Sequence, residues 1–146
     1  MDECALCHEE AVTMWKGTVH ARAWKQLVDV DKQWSYDCIK CHVTGYGLAG
    51  GTAMGHVDGL TDVQCEVCHG PGSLHADRPK KFKLGHPKEI DCKVCHTRDH
   101  SDTFDFVPYL RDVLGPGHGA KRRAALGDGP TGAALRHAAE ASARAK

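Results

Sequence analysis

Cys65-Glu66-Val67-Cys68-His69-Gly70-Pro71-Gly72-Ser73-Leu74-His75 is the stretch from which the rest of the chain is read. Its first five residues set two thiols three positions apart and an imidazole directly after the second. The same C-x-x-C-H pattern recurs at Cys4, Cys7 and His8, at Cys38, Cys41 and His42, and at Cys92, Cys95 and His96. The copies start at residues 4, 38, 65 and 92 and use all 8 cysteines. One helical turn lines cysteines at i and i+3 along one edge of a flat macrocycle and brings the histidine at i+4 toward its centre. A porphyrin whose two vinyl groups accept thiols, and whose iron accepts an imidazole, needs that arrangement. The pattern predicts four covalently bound haem c groups, with His8, His42, His69 and His96 as proximal iron ligands.

Zinc is the competing use of paired C-x-x-C units, since two such pairs make a tetrahedral four-sulfur site. Zinc ribbons do not require a histidine after the second cysteine, and here it follows in every copy. With 11 histidines in 146 residues, that coincidence by chance is about 3 in 100,000. A disulfide within C-x-x-C closes too small a loop to staple a fold.

Composition agrees with a cofactor-filled interior. A chain of 146 residues is one domain's worth, yet only 6% are aromatic and 16 are glycine, a poor supply of large apolar side chains for a polypeptide core. The expected fold class is mainly α with extensive loops, a compact multihaem cytochrome c fold wrapped as a shell around four haems. Basic and acidic residues balance at 19 each, which calls for neither nucleic acid nor an anionic membrane as partner; redox proteins are the expected ones. The chain has no run of eighteen apolar residues and begins with acidic Met1-Asp2-Glu3-Cys4. Covalent haem attachment implies export, so a periplasmic or extracellular location, with a leader removed or replaced, is expected.

Along the chain, Glu9 to Val30 reads as helix, because Val12, Trp15, Val19, Ala23 and Leu27 recur at helical steps, with Gly17 as a weak point. Val43 to Gly59 is glycine-rich and reads as an irregular loop. Gly70-Pro71-Gly72-Ser73 reads as a turn that stops a helix leaving the third motif. Between Arg78 and Lys88 lie Lys80, Lys81, Lys83 and His86, a basic run that reads as solvated surface or as a docking patch for an acidic redox partner. Residues 1–118 form the expected tetrahaem domain. Residues 119–146 are an alanine-, arginine- and lysine-rich tail, with a short helix in its last part.

Seven histidines lie outside the motifs: His20, His56, His75, His86, His100, His118 and His137. Met14 and Met54 are the few methionines available, so bis-histidine ligation is favoured at most haems. A histidine near a proximal ligand in sequence must pass round the porphyrin rim to reach the same iron, and so tends to serve a neighbouring haem instead.

The flanking residues add a resemblance. Trp15 and His20-Ala21-Arg22-Ala23-Trp24 after the first motif, His42-Val43-Thr44-Gly45-Tyr46-Gly47 at the second, Gly70 to His75 at the third, and Thr97, His100-Ser101 and Phe104-Asp105-Phe106 at the fourth resemble the cytochrome c-554 family over residues 4 to about 118. The resemblance implies His20 as a distal ligand for the third haem, His75 for the first, and an open position at the second, opposite His42. For the fourth haem His118 is the expected distal ligand and His100, four residues from His96, its rival. His56, His86 and His137 read as ordinary polar residues, and Trp15, Trp24, Trp34 and Tyr46 as packing against haem faces. The chain is shorter after the fourth motif than the larger family members. The expected function is electron transfer rather than catalysis, with nitric oxide or hydroxylamine chemistry at an open haem, or assembly into a haem filament, as alternatives.

Overall fold

Helices form where the motifs stand and loops carry the chain between them. The computed structural model describes residues 1–145. Nine α-helices and one 3₁₀ turn occur among these residues, with isolated β-bridges such as Val43 to Thr61 in place of a sheet. Helix α1 (Asp2–Lys16) contains the first motif and kinks at His8, where φ is −128° and ψ 42°. The 3₁₀ turn (His20–Arg22) and α2 (Ala23–Val28) follow, then α3 (Tyr36–Ile39), which carries Cys38 of the second motif. The third motif is itself α4 (Cys65–His69), and α5 (Ser73–Asp77) follows it directly. Cys92 lies in α6 (Glu89–Lys93), and α7 (Phe106–Val113), α8 (Ala120–Ala125) and α9 (Gly132–Arg144) complete the chain.

The continuous helix expected from Glu9 to Val30 is broken. Gly17 N–H turns back to the Met14 carbonyl, and the Thr18 hydroxyl donates to the Trp15 carbonyl at 2.7 Å, which closes α1. The Trp15 indole then donates to the Val63 carbonyl at 2.8 Å, tying the break to the approach of the third motif. Beyond it, the Asp62 carboxylate accepts the Trp24 amide at 2.8 Å and satisfies one of the free donors at the start of α2.

The glycine-rich loop folds on polar contacts instead of an apolar centre. Thr44, Thr52 and Gln64 are buried there. The Thr44 hydroxyl donates to the Asp62 carbonyl, and the Gln64 amide group donates to the carbonyls of Gly59 and Thr61. At Gly51 an added Cβ would collide with the Gly45 carbonyl, so the loop closes only on a residue without a side chain. The turn expected at Gly70-Pro71-Gly72-Ser73 is present. Gly70 takes φ +81°, which ends α4.

The alanine-rich helix is not loose at the end of the chain. Thr131 caps α9 by accepting the Ala134 amide at 3.2 Å, and Asp112 at the end of α7 accepts the Ala133 amide at 2.8 Å. Arg111 holds the connecting turn through the carbonyls of Leu126 and Pro130, and Arg136 stands over the Tyr109 ring at 5.2 Å.

The buried apolar residues are few: Val12, Ala23, Leu27, Ile39, Val43, Tyr109 and Leu110. Meanwhile Leu6 inside the first motif is 85% exposed and Val94 inside the fourth 72%. The polypeptide alone leaves apolar surface uncovered next to its motifs, as a shell around large apolar groups would.

Candidate haem-binding site

The eight cysteines are all free thiols. Several of them lie near a thiol of a different motif. Cys41 of the second motif and Cys95 of the fourth lie close together, and the proximity lowers the pKa of Cys41 to about 6 and raises that of Cys95. Burial first, and then the nearness of Cys4 of the first motif, raises the pKa of Cys65 of the third, whose thiol donates to the Met1 sulfur at 3.8 Å. Burial first, and then the proximity of Cys92, pushes the Cys68 thiol up to about 11. No cluster of three or more histidine, cysteine or acidic side chains is set for a metal ion among the described residues, so the four-sulfur arrangement zinc would need is not formed.

The histidines show a different order. His8 and His75 stack with ring centroids 6.2 Å apart and planes 21° apart. His20 and His96 are 6.1 Å apart at 51°. His69 and His118 are 6.0 Å apart at 81°, and His86 stands 6.2 Å from His69 on a second approach. Two imidazoles on opposite faces of one metal, each with a metal–nitrogen bond of about 2 Å and about 1.1 Å from nitrogen to ring centre, have centroids about 6.2 Å apart. The pairs stand at the separation that axial ligation requires, too far for direct hydrogen bonding between the rings.

The ring nitrogens point to the same use. Nδ1 of His42 is bonded to the Ala23 carbonyl at 2.6 Å, Nδ1 of His69 to Gly85 at 2.7 Å, Nδ1 of His75 to Phe82 at 2.8 Å and Nδ1 of His118 to Val113 at 2.7 Å. A carbonyl only accepts, so each Nδ1 carries the proton and Nε2 keeps its lone pair for a metal. Nδ1 of His96 instead meets the Ser101 hydroxyl at 3.0 Å, which continues to the Tyr109 phenol and, from it, to Thr103. His20 is held neutral another way: burial, followed by the nearness of His96 and Arg136, lowers its pKa to about 4. His56, by contrast, stands 3.6 Å from Asp58 in solvent.

The structure brings His75 to His8 of the first motif, and His20 and His118 each face a motif other than the one expected. His20 faces His96 of the fourth motif rather than His69, and His118 faces His69 rather than His96. The reason lies in the backbone. The His20 carbonyl accepts the Val63 amide, which places His20 beside the start of the third motif and its ring across from the next one. His118 follows a tight turn in which Gly115 and His118 exchange backbone hydrogen bonds, and the Val113 carbonyl orients its ring toward His69.

Among the described residues His42 has no imidazole facing it in the way the other three motif histidines do. It opens with Cys38, Cys41, Cys95, His96 and His100 on a cavity of about 300 Å³ that joins the second and fourth motifs. His100 lines the same cavity as His42 and His96. The carbonyl partners and the Ser101–Tyr109 contacts were not foreseen, since a backbone acceptor leaves no mark in a sequence. Ser101 and Tyr109 carried a faint signal in following the fourth motif closely.

The family model described as "Cytochrome c554 and c-prime" matches residues 3–70, which span the first three motifs. Cytochrome c-554 of Nitrosomonas europaea is 38% identical over 86 residues, covering 48% of this chain and 37% of that protein. A solved structure of cytochrome c554 from Nitrosomonas europaea in its reduced state is similar with a TM-score of 0.53 at 29% identity, over 65% of this chain and 62% of that one. In sequence the match spans little more than a third of that relative's length.

Proposed function

The chain's sequence and structure match the cytochrome c-554 family, and from that premise we propose that it is an exported electron carrier holding four covalent haems. Cys4 and Cys7, Cys38 and Cys41, Cys65 and Cys68, and Cys92 and Cys95 would form the thioethers. His8, His42, His69 and His96 would be the proximal ligands, with His75, His118 and His20 opposite the first, third and fourth. Bound haem supplies a one-electron Fe(III)/Fe(II) couple, and two imidazoles hold its potential below that of a His/Met pair. The protein's part is to orient the ligand rings: Nδ1–H of His42, His69, His75 and His118 donates to a backbone carbonyl, which leaves Nε2 for iron. No substrate bond is made or broken in this reading.

The observation that carries it is the spacing of the imidazole pairs. The nearness of thiols across motifs adds support: Cys4 lies near Cys65, Cys68 near Cys92 and Cys41 near Cys95. The test is haem stoichiometry after denaturation. Four haems per chain, retained through unfolding and giving a c-type pyridine haemochrome, are expected; haem released on unfolding, or fewer than four, contradicts the reading.

A second reading is favoured by the unpaired His42: this position binds a small ligand such as nitric oxide. Titration with cyanide or nitric oxide is expected to saturate at one equivalent per chain. No spectral change on titration excludes it.

A further inference from the structure

We propose that the loop from Arg78 to Lys88 is the docking surface for an acidic, soluble redox protein, which exchanges electrons there with the haems of the first and third motifs. The proposal rests on the electron-carrier reading and names the partner class it serves. Arg78, Lys80, Lys81, Lys83 and Lys88 are all exposed, and the stretch has no acidic residue. These are five of the 19 basic residues, leaving 14 against 19 acidic ones over the rest of the chain. Haem propionates would widen the contrast, so the loop is a positive lobe on a largely acidic body, with Lys121, Arg122 and Arg123 of α8 as a second, shorter basic run, and such a lobe orients an incoming acidic partner before contact. Only Arg78 is committed to an ion pair, with Asp77, while Lys80, Lys81, Lys83 and Lys88 form none among the described residues.

Charge alone would make this an ordinary solvated loop. What sets it apart is that its backbone holds two of the ligand candidates. The Phe82 carbonyl accepts Nδ1 of His75, and the Gly85 carbonyl accepts Nδ1 of His69 while the Gly85 amide donates to the His69 carbonyl. The Phe82 ring in turn lies under Lys81, 5.4 Å from its ammonium. A partner on these lysines is therefore one backbone hydrogen bond from an axial imidazole of each of two haems. Each transfer oxidises the partner by one electron and takes one iron from Fe(III) to Fe(II), with no atom exchanged.

The experiment compares wild type with K80E/K81E/K83E, and with a control, K16E/K32E/K121E, that makes the same change in net charge at scattered exposed sites. Reduced flavodoxin, an acidic protein, is the probe. Stopped-flow haem reduction and calorimetric binding are measured across ionic strength. The loop variant is expected to lose at least about tenfold in association rate at low salt, to bind more weakly, and to converge with wild type near 1 M salt. The control should stay close to wild type. Equal rates for loop variant and wild type, or equal losses in loop variant and control, overturn the proposal. Loss of binding to phosphatidylserine vesicles with unchanged flavodoxin kinetics overturns it in favour of a lipid surface. Dithionite separates the two readings. A variant whose haems dithionite reduces but whose flavodoxin kinetics match wild type refutes the docking surface alone, whereas a wild type with no reducible haem refutes the electron carrier itself.

Discussion

A neutral imidazole ligates through Nε2 while Nδ1 keeps the proton, and in this chain the carbonyl that accepts the Nδ1–H hydrogen bond sets the direction of the His42, His69, His75 and His118 rings. His75 is oriented by Phe82 and stacks on His8. His75→Ala is expected to turn one low-spin ferric haem high-spin, read by electron paramagnetic resonance, and to leave the others unchanged. His69 has two candidates facing it, but only His118 has its Nδ1 fixed to a carbonyl, whereas His86 is exposed. His118→Ala should therefore give a high-spin haem and His86→Ala should not; the reverse outcome reassigns the ligand. His20 gives a prediction with pH. Burial lowers its folded pKa to about 4 from an ordinary 6.5, so folding favours the neutral ring. Its contribution to stability is complete above 6.5 and declines as pH falls from there toward 4; coordination would extend the range further downward. Acid titration should leave the low-spin spectrum unchanged from neutral pH to about pH 5. A high-spin transition near the ordinary histidine value would contradict ligation by His20.

The elements that place these rings differ in how far they could be read. The motif helices were legible because C-x-x-C-H has one geometric use, and the stop at Gly70 was legible because its glycine and proline leave few other conformations. The break after Lys16 was not, because the apolar rhythm of Val12, Trp15, Val19, Ala23 and Leu27 runs straight through it. The cause is the long-range bond from Trp15 to the Val63 carbonyl, which no local pattern announces. The exchange of His20 and His118 between the third and fourth motifs was hidden for the same reason, since backbone bonds distant in sequence decide it. Gly117 makes the point testable. It takes φ +77°, and a Cβ there would overlap Glu10 of α1. Gly117→Ala should lower the melting temperature and displace His118 from His69, adding high-spin signal. An unchanged melting temperature and spectrum would show that this turn does not place the ligand.

Across the whole molecule, the small polypeptide core is the main physical fact. Among the described residues the buried apolar core comprises Val12, Ala23, Leu27, Ile39, Val43, Tyr109 and Leu110, while Leu6 and Val94 within the first and fourth motifs lie open. Such a core does not support a chain of 146 residues by itself. The sequence signalled this through its scarcity of aromatics, although the bracing of α7 by α9 was missed, because the alanine-rich helix has no strong apolar stripe. Protein made without haem attachment is expected to show no cooperative thermal transition and little near-ultraviolet dichroism. A sharp transition in the apoprotein would show that the polypeptide folds without a cofactor interior.

The central claim is that three histidine pairs and one unpaired histidine define four haem positions. Spin quantitation of the oxidised protein by electron paramagnetic resonance tests it most directly. Three low-spin haems and one high-spin haem per chain are expected, the high-spin one beside His42. Four low-spin haems would mean that His42 has a partner the imidazole pairing does not provide, and more than one high-spin haem would mean that a facing pair does not ligate.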